Sequence, residues 1–335
     1  MAKTVGIDLG TANTLLCMKG AGIVVRSPSA VAINKDTREI IAQGIEAKRM
    51  MGKTPQGILA FRPIKDGVIT DADVTSGMLR NYLSHIGALS WFSRPFVIAS
   101  IPYGVTEVER QALESAAFYA GARRVALIDE PLAAALGTGL NIGGPKGTMM
   151  VDIGGGTTEV AVISLGGIVA SRSSRIAGDE LDAAIVEYIR ATRGVLIGMS
   201  TAEELKIRIG SAHDDADRGK LTVSGMSLTR RMGVNIEITT AEVREAMREP
   251  VDSIVSTIKQ ALEQTPPELS GDLYDFGIAL TGGGALTHGL GALISERTGV
   301  RVRIAQRPME SVCRGILRVI DHSAELEGIL RYRER

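Results

Sequence analysis

The sequence predicts an α/β protein made of two similar halves. Apolar segments such as PFVIASIP and RVALIDEP alternate with amphipathic helical segments, which is the pattern of α/β folds. The opening segment GIDLGTANTLLCMKGAGIV is also matched by VDIGGGTTEVAVISLGGIV, which begins at Val151. A chain that repeats its opening motif is predicted to repeat the supersecondary structure that the motif forms. We therefore expect two α/β halves with a ligand-binding cleft between them.

The composition is that of a folded chain of this size. Its 335 residues are 44% hydrophobic, which is enough for a large core divided between two domains. Lysine plus arginine and aspartate plus glutamate both number 38, so no basic excess is available to neutralise the phosphates of a nucleic acid. The composition therefore argues against nucleic acid as the main partner.

The cysteines and the opening of the chain favour a cytoplasmic protein. Cys17 and Cys313 lack CxxC spacing and the four histidines are scattered, which argues against a zinc site or a disulfide framework. The strand-like segment TVGIDLG follows Met1 almost directly, without the basic and apolar regions of a signal peptide. Glycine and charged residues interrupt every apolar run before about 18 residues, so any membrane contact is expected to be peripheral.

Local signals predict the helices. Thr106 and Glu109 have capping-box spacing and Gly121 suits the position after a helix, so a helix is predicted from Glu107 to about Ala120. The residues predicted on its core face are Val108, Leu113, Ala116, Ala117 and Ala120. Further helices are predicted to start near Asp179, Thr201 and Thr240, and the spacings Thr201 to Glu204 and Thr239 to Glu242 are read as capping boxes. The glycine-containing stretches at 141–147 and around Gly315 are predicted to link the halves.

The repeated motif is a candidate phosphate-binding turn. Superposing Asp8 on Asp152 also aligns the glycines and hydroxyl-bearing residues that follow each aspartate. Small residues in such a turn let backbone N–H groups approach a phosphate, and side chains add further donors. The residues predicted to contact phosphates in this way are Gly10, Thr11, Ala12, Asn13, Gly154, Gly155, Gly156, Thr157 and Thr158. The two carboxylates, Asp8 and Asp152, are predicted to hold Mg²⁺ through its water molecules, because Mg²⁺ loses water reluctantly.

A third glycine loop supports this interpretation. One Asp-x-Gly turn alone would be read as a glycine-rich hairpin, but the sequence has two such turns together with LTGGGA. The third loop follows an apolar strand and is predicted to approach a sugar or purine through Gly282, Gly283, Gly284 and Ala285. This third loop matches neither GxGxxG nor GxxxxGK[ST], which argues against a Rossmann dinucleotide site and a P-loop.

Over nearly its whole length the chain resembles the actin, Hsp70 and sugar-kinase superfamily, and within it the MreB family. GIDLGTANT and VDIGGGTTEV are similar to the two phosphate loops of that superfamily, TGGGA to its adenosine loop, and IPYGVTEVERQALESAAFYAGA to its first inter-domain connection. RPIKDGVITD and EQTPPEL are similar to MreB segments. The resemblance implies an actin-like fold, in which two RNase H-like domains each carry a smaller subdomain and close on Mg-ATP.

The resemblance also assigns roles to single residues. Glu130 in DEPLAAA matches the catalytic glutamate of the pattern Glu-Glu-Pro-x-Ala-Ala-Ala and is expected to orient the attacking water, with Asp152 catalytic through the metal. Asp129 replaces the usual glutamate before it, and without the resemblance Glu130 would be read as a carboxylate at a helix start. Adenine and ribose are expected near Glu203, Lys206, Gly178 and Asp179, although Glu203 and Lys206 also have the spacing of a solvated i,i+3 pair.

Subdomain boundaries and partners follow from the same resemblance. The expected division is 1–30, 71–146 and 313–335 for IA, 31–70 for IB, 147–177 and 246–312 for IIA, and 178–245 for IIB. The expected function is slow ATP hydrolysis coupled to head-to-tail filaments, paired in antiparallel fashion, that organise cell-wall synthesis with membrane proteins of the elongation machinery. Alternatives of the same fold are a plasmid-segregating or organelle-aligning actin relative, a sugar or acetate kinase, and an Hsp70-type ATPase.

One segment suggests how such a filament reaches the inner face of the cell membrane. Trp91 is the one tryptophan of a chain that is only 4% aromatic, and it lies beside Phe92 between two serines, in a segment that reads as a loop. Folding back onto the core is the alternative fate of such a side chain. The resemblance favours membrane insertion, because some MreB proteins use an apolar loop at this place.

Overall fold

The protein, described here from a computed structural model, forms two compact units. The structure describes residues 3–90 and 93–332. The first unit comprises Met1–Lys146, Ile163–Val169 and Met309–Arg335, and the second comprises Gly147–Val162 and Ala170–Pro308. The finer division into four subdomains stays a prediction.

Residues up to 146 alternate between strands and helices. The elements are β1 (Thr4–Leu9), β2 (Asn13–Met18), β3 (Gly22–Pro28), β4 (Val31–Asn34), β5 (Ile40–Gln43), α1 (Ile45–Met50), β6 (Ile58–Phe61), β7 (Ile64–Lys65), β8 (Val68–Ile69), α2 (Ala72–His85), β9 (Phe96–Ile101), α3 (Glu107–Ala120), β10 (Arg124–Asp129) and α4 (Glu130–Gly137). This part of the chain therefore has the predicted α/β character.

The elements from 147 to 308 begin with a second strand–turn–strand. They are β11 (Thr148–Ile153), β12 (Thr158–Ser164), β13 (Gly167–Ser174), α5 (Gly178–Arg193), β14 (Val195–Leu196), α6 (Met199–Ile209), β15 (Lys220–Ser227), β16 (Gly233–Thr239), α7 (Thr240–Glu263), α8 (Pro267–Phe276), β17 (Ile278–Thr281), α9 (Leu290–Thr298) and β18 (Val302–Ile304). The chain then returns to the first unit with α10 (Ser311–Asp321), α11 (Ser323–Leu326) and β19 (Arg331–Tyr332). Among the helices of residues 3–90 and 93–332, none combines the length and the apolarity needed to span a bilayer.

Each unit is built on one main sheet. The first has six strands in the order β19-β10-β9-β1-β2-β3, and the second has five in the order β13-β12-β11-β17-β18. β1, β9 and β10 are parallel neighbours, and so are β11, β17 and β18. The carboxyl ends of parallel strands meet at one sheet edge, which is where ligands bind in α/β folds. Small sheets β5-β4-β6, β7-β8 and β14-β15-β16 complete the two units.

The capping signals of α3 and α7 are confirmed. The Glu109 N–H donates to Thr106 Oγ1 at 3.3 Å while the Glu109 carboxylate accepts from the Thr106 N–H, and the same reciprocal bonds join Thr239 and Glu242. Gly121 ends α3 in the left-handed region at φ 114°. The proposed box at Thr201 is wrong, because α6 begins at Met199 and Thr201 already lies inside its first turn.

The predicted core face of α3 is wrong at one residue. Leu113, Ala116, Ala117 and Ala120 are buried, but Val108 is 76% exposed. At about 100° per residue, Val108 lies about 80° or more around the helix from each of these four. The prediction therefore assigned Val108 to the buried side of α3, whereas its side chain lies on the exposed side.

The sequence analysis placed Gly315 in a linker, and this prediction is wrong. Gly315 lies inside α10, where that helix crosses α4. A Cβ atom on Gly315 would lie 1.7 Å from Ala133 O, and one on Gly137 would lie 1.8 Å from Ser311 O. The two helices therefore touch backbone to backbone. α10 also contacts β1, where a Cβ on Gly6 would lie 2.5 Å from Ile316 Cγ2.

Candidate functional site

The turn between β1 and β2 is stabilised by hydrogen bonds within the turn and from neighbouring residues of the first unit. The Gly10 N–H donates to Asn13 O at 3.1 Å, and a Cβ on Gly10 would lie 2.9 Å from that same oxygen. Ser29 bonds both flanks of the turn, because its N–H donates to Ala12 O at 2.9 Å and its hydroxyl donates to Gly10 O at 2.6 Å. Thr11 Oγ1 accepts from the Gly67 N–H at 3.0 Å. Ser29 was not identified from the sequence, although it makes these bonds while fully buried.

The turn between β11 and β12 repeats the same bond. The Gly154 N–H donates to Thr157 O at 2.8 Å, which is the counterpart of the bond from Gly10 to Asn13. The predicted superposition of Asp8 on Asp152 therefore corresponds to two turns closed in the same way. Thr158 is an exception among the expected phosphate donors, because its buried hydroxyl donates to Ile176 O at 2.7 Å and supports the turn from within.

The first turn of α5 is docked on this second turn. The Gly178 N–H donates to Gly154 O at 3.2 Å and the Asp179 N–H donates to Gly155 O at 2.7 Å. A Cβ on Gly178 would come within 3.2 Å of Gly154 O, so glycine allows the contact. The structure therefore brings together four residues that the sequence had assigned to two separate parts of a nucleotide site.

The third glycine loop lies against Asp152. β17 runs parallel to β11 with Thr281 opposite Asp152, and a Cβ on Gly282 would lie 2.3 Å from Asp152 Oδ1. Gly282 has a φ of 82°, a conformation that glycine adopts without strain. Gly283 faces open space, whereas Ala285 is fully buried in the core of the second unit. Direct contact of Ala285 with a ligand is therefore not available in this structure.

Lys206 connects α6 to the start of α5. Its ammonium donates to Gly178 O at 2.8 Å and lies 2.8 Å from Asp182 Oδ1, an ion-pair contact with less favourable hydrogen-bond direction. Burial raises the pKa of Asp182 to about 6 against the opposing effect of Lys206, and the charges of Glu203 and Asp179 raise it further. Gly178, Asp179, Glu203 and Lys206 thus lie close together, as the predicted nucleotide contacts require, and Asp182 is a member that the sequence did not reveal.

The first unit places its carboxylates at one sheet edge. Asp8 is the penultimate residue of β1, and Ser100 near the end of β9 donates to its Oδ1 at 3.5 Å. β10 ends at Asp129, and Glu130 begins α4 directly after it. Because these three strands are parallel neighbours, Asp8 and the start of α4 share the carboxyl edge of the sheet. Asp129 is buried and forms an ion pair with Arg331 at 2.5 Å.

Asp152 is a buried carboxylate near the end of β11. Burial raises the pKa of its carboxyl to about 7. No three His, Cys, Asp or Glu side chains within residues 3–90 and 93–332 form a cluster suited to direct metal coordination. Mg²⁺ retains several waters and binds through one or two carboxylates, and a carboxylate such as that of Asp152 is a donor of the kind that it prefers. A cation beside Asp152 would favour its charged form.

This fold and these turns are those of an actin-like protein. A solved structure of MreB5 of Spiroplasma citri bound to ADP superposes with a TM-score of 0.92 at 35% identity, covering 98% of this chain and 99% of that one. A structure described as a MamK double helical filament matches with a TM-score of 0.78 at 20% identity, covering 95% of this chain and 98% of that one, and so shares the fold.

The chain belongs to the MreB/Mbl family of cell shape-determining, actin-like cytoskeletal proteins. The family model for MreB/Mbl protein matches residues 2–328. Cell shape-determining protein MreB of Escherichia coli strain K12 is 46% identical, covering 97% of this chain and 96% of the relative. Cell shape-determining protein Mbl of Bacillus subtilis strain 168 is 44% identical, covering 97% of this chain and 98% of the relative. The family resemblance of the sequence is thereby confirmed, and so is the actin-like fold.

The raised pKa of Asp152 gives a pH dependence of stability. A carboxyl whose folded-state pKa lies above its unfolded value contributes stability that is full below about pH 4 and is lost as pH rises through about 7. Without nucleotide and Mg²⁺, the wild type should lose about 1 kcal/mol from this group between pH 6 and pH 8. The Asp152→Asn variant should not show this loss, which thermal melts at both pH values will measure. The exposed Asp36→Asn is the matched control, and equal pH dependence of all three proteins would contradict the assignment.

Proposed function

We propose that this chain binds Mg-ATP through its two matching turns and hydrolyses it slowly. The observation that carries the proposal is that Gly10 and Gly154 make the same turn-closing bond, each two residues after a buried aspartate that is the penultimate residue of its strand. Each turn offers backbone N–H groups to a phosphate and a carboxylate to a hydrated Mg²⁺. The MreB5 structures bound to ADP and to AMPPNP support nucleotide binding in this family.

The proposed roles follow from position. Asp8 and Asp152 would hold Mg²⁺, which neutralises the negative charge that builds up on the phosphates during phosphoryl transfer. Gly178, Asp179, Glu203 and Lys206 would contact adenosine at the junction of α5 and α6. Glu130, at the start of α4, would orient the attacking water. Hydrolysis of this kind depends on positioning and charge stabilisation and needs no covalent intermediate on the protein.

Self-assembly is the second part of the proposal. The exposed side of α3 carries Val108 and Tyr119, which are 76% and 75% exposed and lie three helical turns apart on the same side. Between them this side presents Gln111, Ala112 and Ser115, so it bears no charge. Interface cores are depleted of charged residues, and exposed apolar side chains mark contact surfaces. We infer that this charge-free side of α3 joins two copies of the chain within paired filaments that organise cell-wall growth with membrane proteins of the elongation machinery.

The roles of the metal and of Glu130 are separable by experiment. Wild type should bind ATP in calorimetry only when Mg²⁺ is present. For Asp152→Asn, adding Mg²⁺ should no longer change the affinity for ATP. Glu130→Ala should keep ATP affinity within about twofold while phosphate release falls at least about tenfold, because the residue acts on the water and not on the phosphates. Mg²⁺-independent binding would contradict the metal sites, and unchanged phosphate release in Glu130→Ala would contradict the water-orienting role.

Electron microscopy of protein incubated with ATP checks the assembly surface. Wild type should form paired filaments, whereas Val108→Glu and Tyr119→Glu should give single filaments or none, since each buries an unpaired charge in the contact. Tyr274→Glu is the matched control, because Tyr274 is 73% exposed on α8 in the other unit. Wild type that stays unassembled in every salt, lipid and nucleotide condition would contradict the filament proposal itself.

Membrane association at the inner face of the cell membrane is proposed from the sequence. Trp91 and Phe92 lie outside the described residues, while the flanking Ser90 and Ser93 exchange backbone hydrogen bonds of 3.0 and 3.3 Å. Each ring could bury about 150–250 Å², at most a few kcal/mol at about 25 cal/mol per Å². One chain would bind weakly, and a filament that presents many copies would bind firmly.

Liposome co-sedimentation measures this attachment. Assembled wild type should pellet with liposomes, and the Trp91→Ser, Phe92→Ser double variant should stay in the supernatant while still forming filaments. Unassembled wild type should bind at least about tenfold less, because avidity depends on linked copies. Equal pelleting of both assembled proteins would show that another segment is the anchor.

A further inference from the structure

β19 is attached to the edge of the first unit's sheet by several contacts. It pairs antiparallel with β10, placing Tyr332 opposite Ala126 and Arg331 opposite Leu127. The Tyr332 ring stacks on Phe96 with 6.4 Å between ring centroids, and the Arg124 guanidinium lies 4.2 Å from the Tyr332 centroid. Backbone pairing, aromatic stacking and a cation–π contact therefore fix this two-residue strand against β10.

This attachment aims Arg331 at the last residue of β10. Its Nη2 donates to Asp129 Oδ2 at 2.5 Å, and the Asp129 side chain is only 7% exposed while that of Arg331 is half exposed. Burial raises the pKa of Asp129 even though Arg331 opposes the shift. A buried carboxylate that loses its cationic partner must either find other donors or move to water.

Asp129 also occupies the N-cap position of α4, but its side chain makes no capping hydrogen bond. Aspartate at this position ordinarily accepts from the N–H groups of the first helical turn. Here the carboxylate bonds to Arg331 instead. The first residue of that helical turn is Glu130. The ion pair of Asp129 with Arg331 therefore lies one residue before the backbone that carries Glu130.

The surroundings leave Asp129 room to move. A cavity of about 210 Å³ lies beside it, lined by Tyr103, Val105, Leu127, Arg110 and Arg331 among others. The far end of α4 is held differently, because Gly137 lies against the backbone of Ser311 in α10. α4 is thus packed tightly against α10 at its end, while the ion pair of Asp129 with Arg331 lies next to a cavity at its start.

We propose that Arg331 is a positioning residue for Glu130, acting by holding the Asp129 carboxylate away from the first turn of α4. The inference rests on the proposed role of Glu130 in ATP hydrolysis. Without Arg331, Asp129 would turn to cap α4 or to reach water in the cavity, and the first helical turn would shift. A displacement of about 1 Å at a catalytic group can cost about 100-fold in rate. ATP affinity should hardly change, because no phosphate-binding turn is involved.

The test compares Arg331→Ala and Arg331→Lys with Arg38→Ala. Arg38 is a matched control because it pairs with Asp71, the N-cap residue of α2, which does cap its helix by accepting from the Val74 N–H. Single-turnover phosphate release should fall about tenfold in Arg331→Ala with ATP affinity within about twofold of wild type. Arg331→Lys should recover most of the rate, and Arg38→Ala should match wild type.

Each outcome decides a separate question. If wild type hydrolyses ATP and Arg331→Ala does so at the same rate, the positioning role is overturned and the proposed function stands. Absence of hydrolysis in wild type overturns the proposed function itself. Parallel losses of rate, affinity and melting temperature assign Arg331 a general structural role and also overturn the inference. If Arg331→Ala does not fold, Arg331→Gln keeps the side-chain stem and decides by the same comparison of rate with affinity.

Discussion

Direct contact of backbone with backbone, made possible by glycine, determines where the charged groups of this protein lie. At the crossing of α4 and α10, a side chain on Gly315 would overlap Ala133 O, and in the second unit one on Gly282 would overlap Ile153 O. The first contact fixes the helix that begins with Glu130, and the second brings the third glycine loop against Asp152. Packed interiors tolerate little added volume, so these contacts allow few alternative arrangements of the groups they place.

The consequence for electrostatics is that several carboxylates are held in places that are costly for a charge. Asp152 and Asp182 both have their pKa raised by burial, and each lies next to atoms fixed by glycine contacts. Lys206 offsets part of the cost at Asp182, and Arg331 does the same at Asp129. Burial is the cause of the raised pKa of Asp152, so a cation placed beside its carboxylate would stabilise the charged form.

Features encoded by neighbouring residues were predictable from the sequence, and features that depend on distant partners were not. The caps at Thr106 and Thr239 need only residues three apart, and both are present. The α/β class and the matching turns likewise follow from a motif that occurs twice. Val108 was misassigned because apolar character alone does not fix the angle around a helix. Thr201 was misassigned because α6 begins two residues earlier than the signal indicated.

Contacts over long sequence distances explain the remaining differences. Gly315 was read as part of a linker because glycine in a sequence does not reveal whether it bends the chain or admits another backbone. Ser29 acts on a turn 19 residues away, and Arg331 reaches a carboxylate 202 residues away. Of the candidate site, the two matching turns and the group around Lys206 could be named in advance, whereas the residues that orient them required the three-dimensional contacts.

The open surroundings of Gly283 have a practical consequence. A Cβ atom there would meet nothing within 4 Å, and the backbone is not in the left-handed region, although its neighbours Gly282 and Gly284 are tightly enclosed. The chain has two cysteines, both buried, and a hydrogen bond with Cys17, together with burial, raises the pKa of Cys313. A cysteine introduced at position 283 would carry an accessible thiol, whereas the two native thiols are buried. A fluorophore could be attached to it without disturbing the packing. Its emission could then report in real time whether a ligand is bound near Asp152.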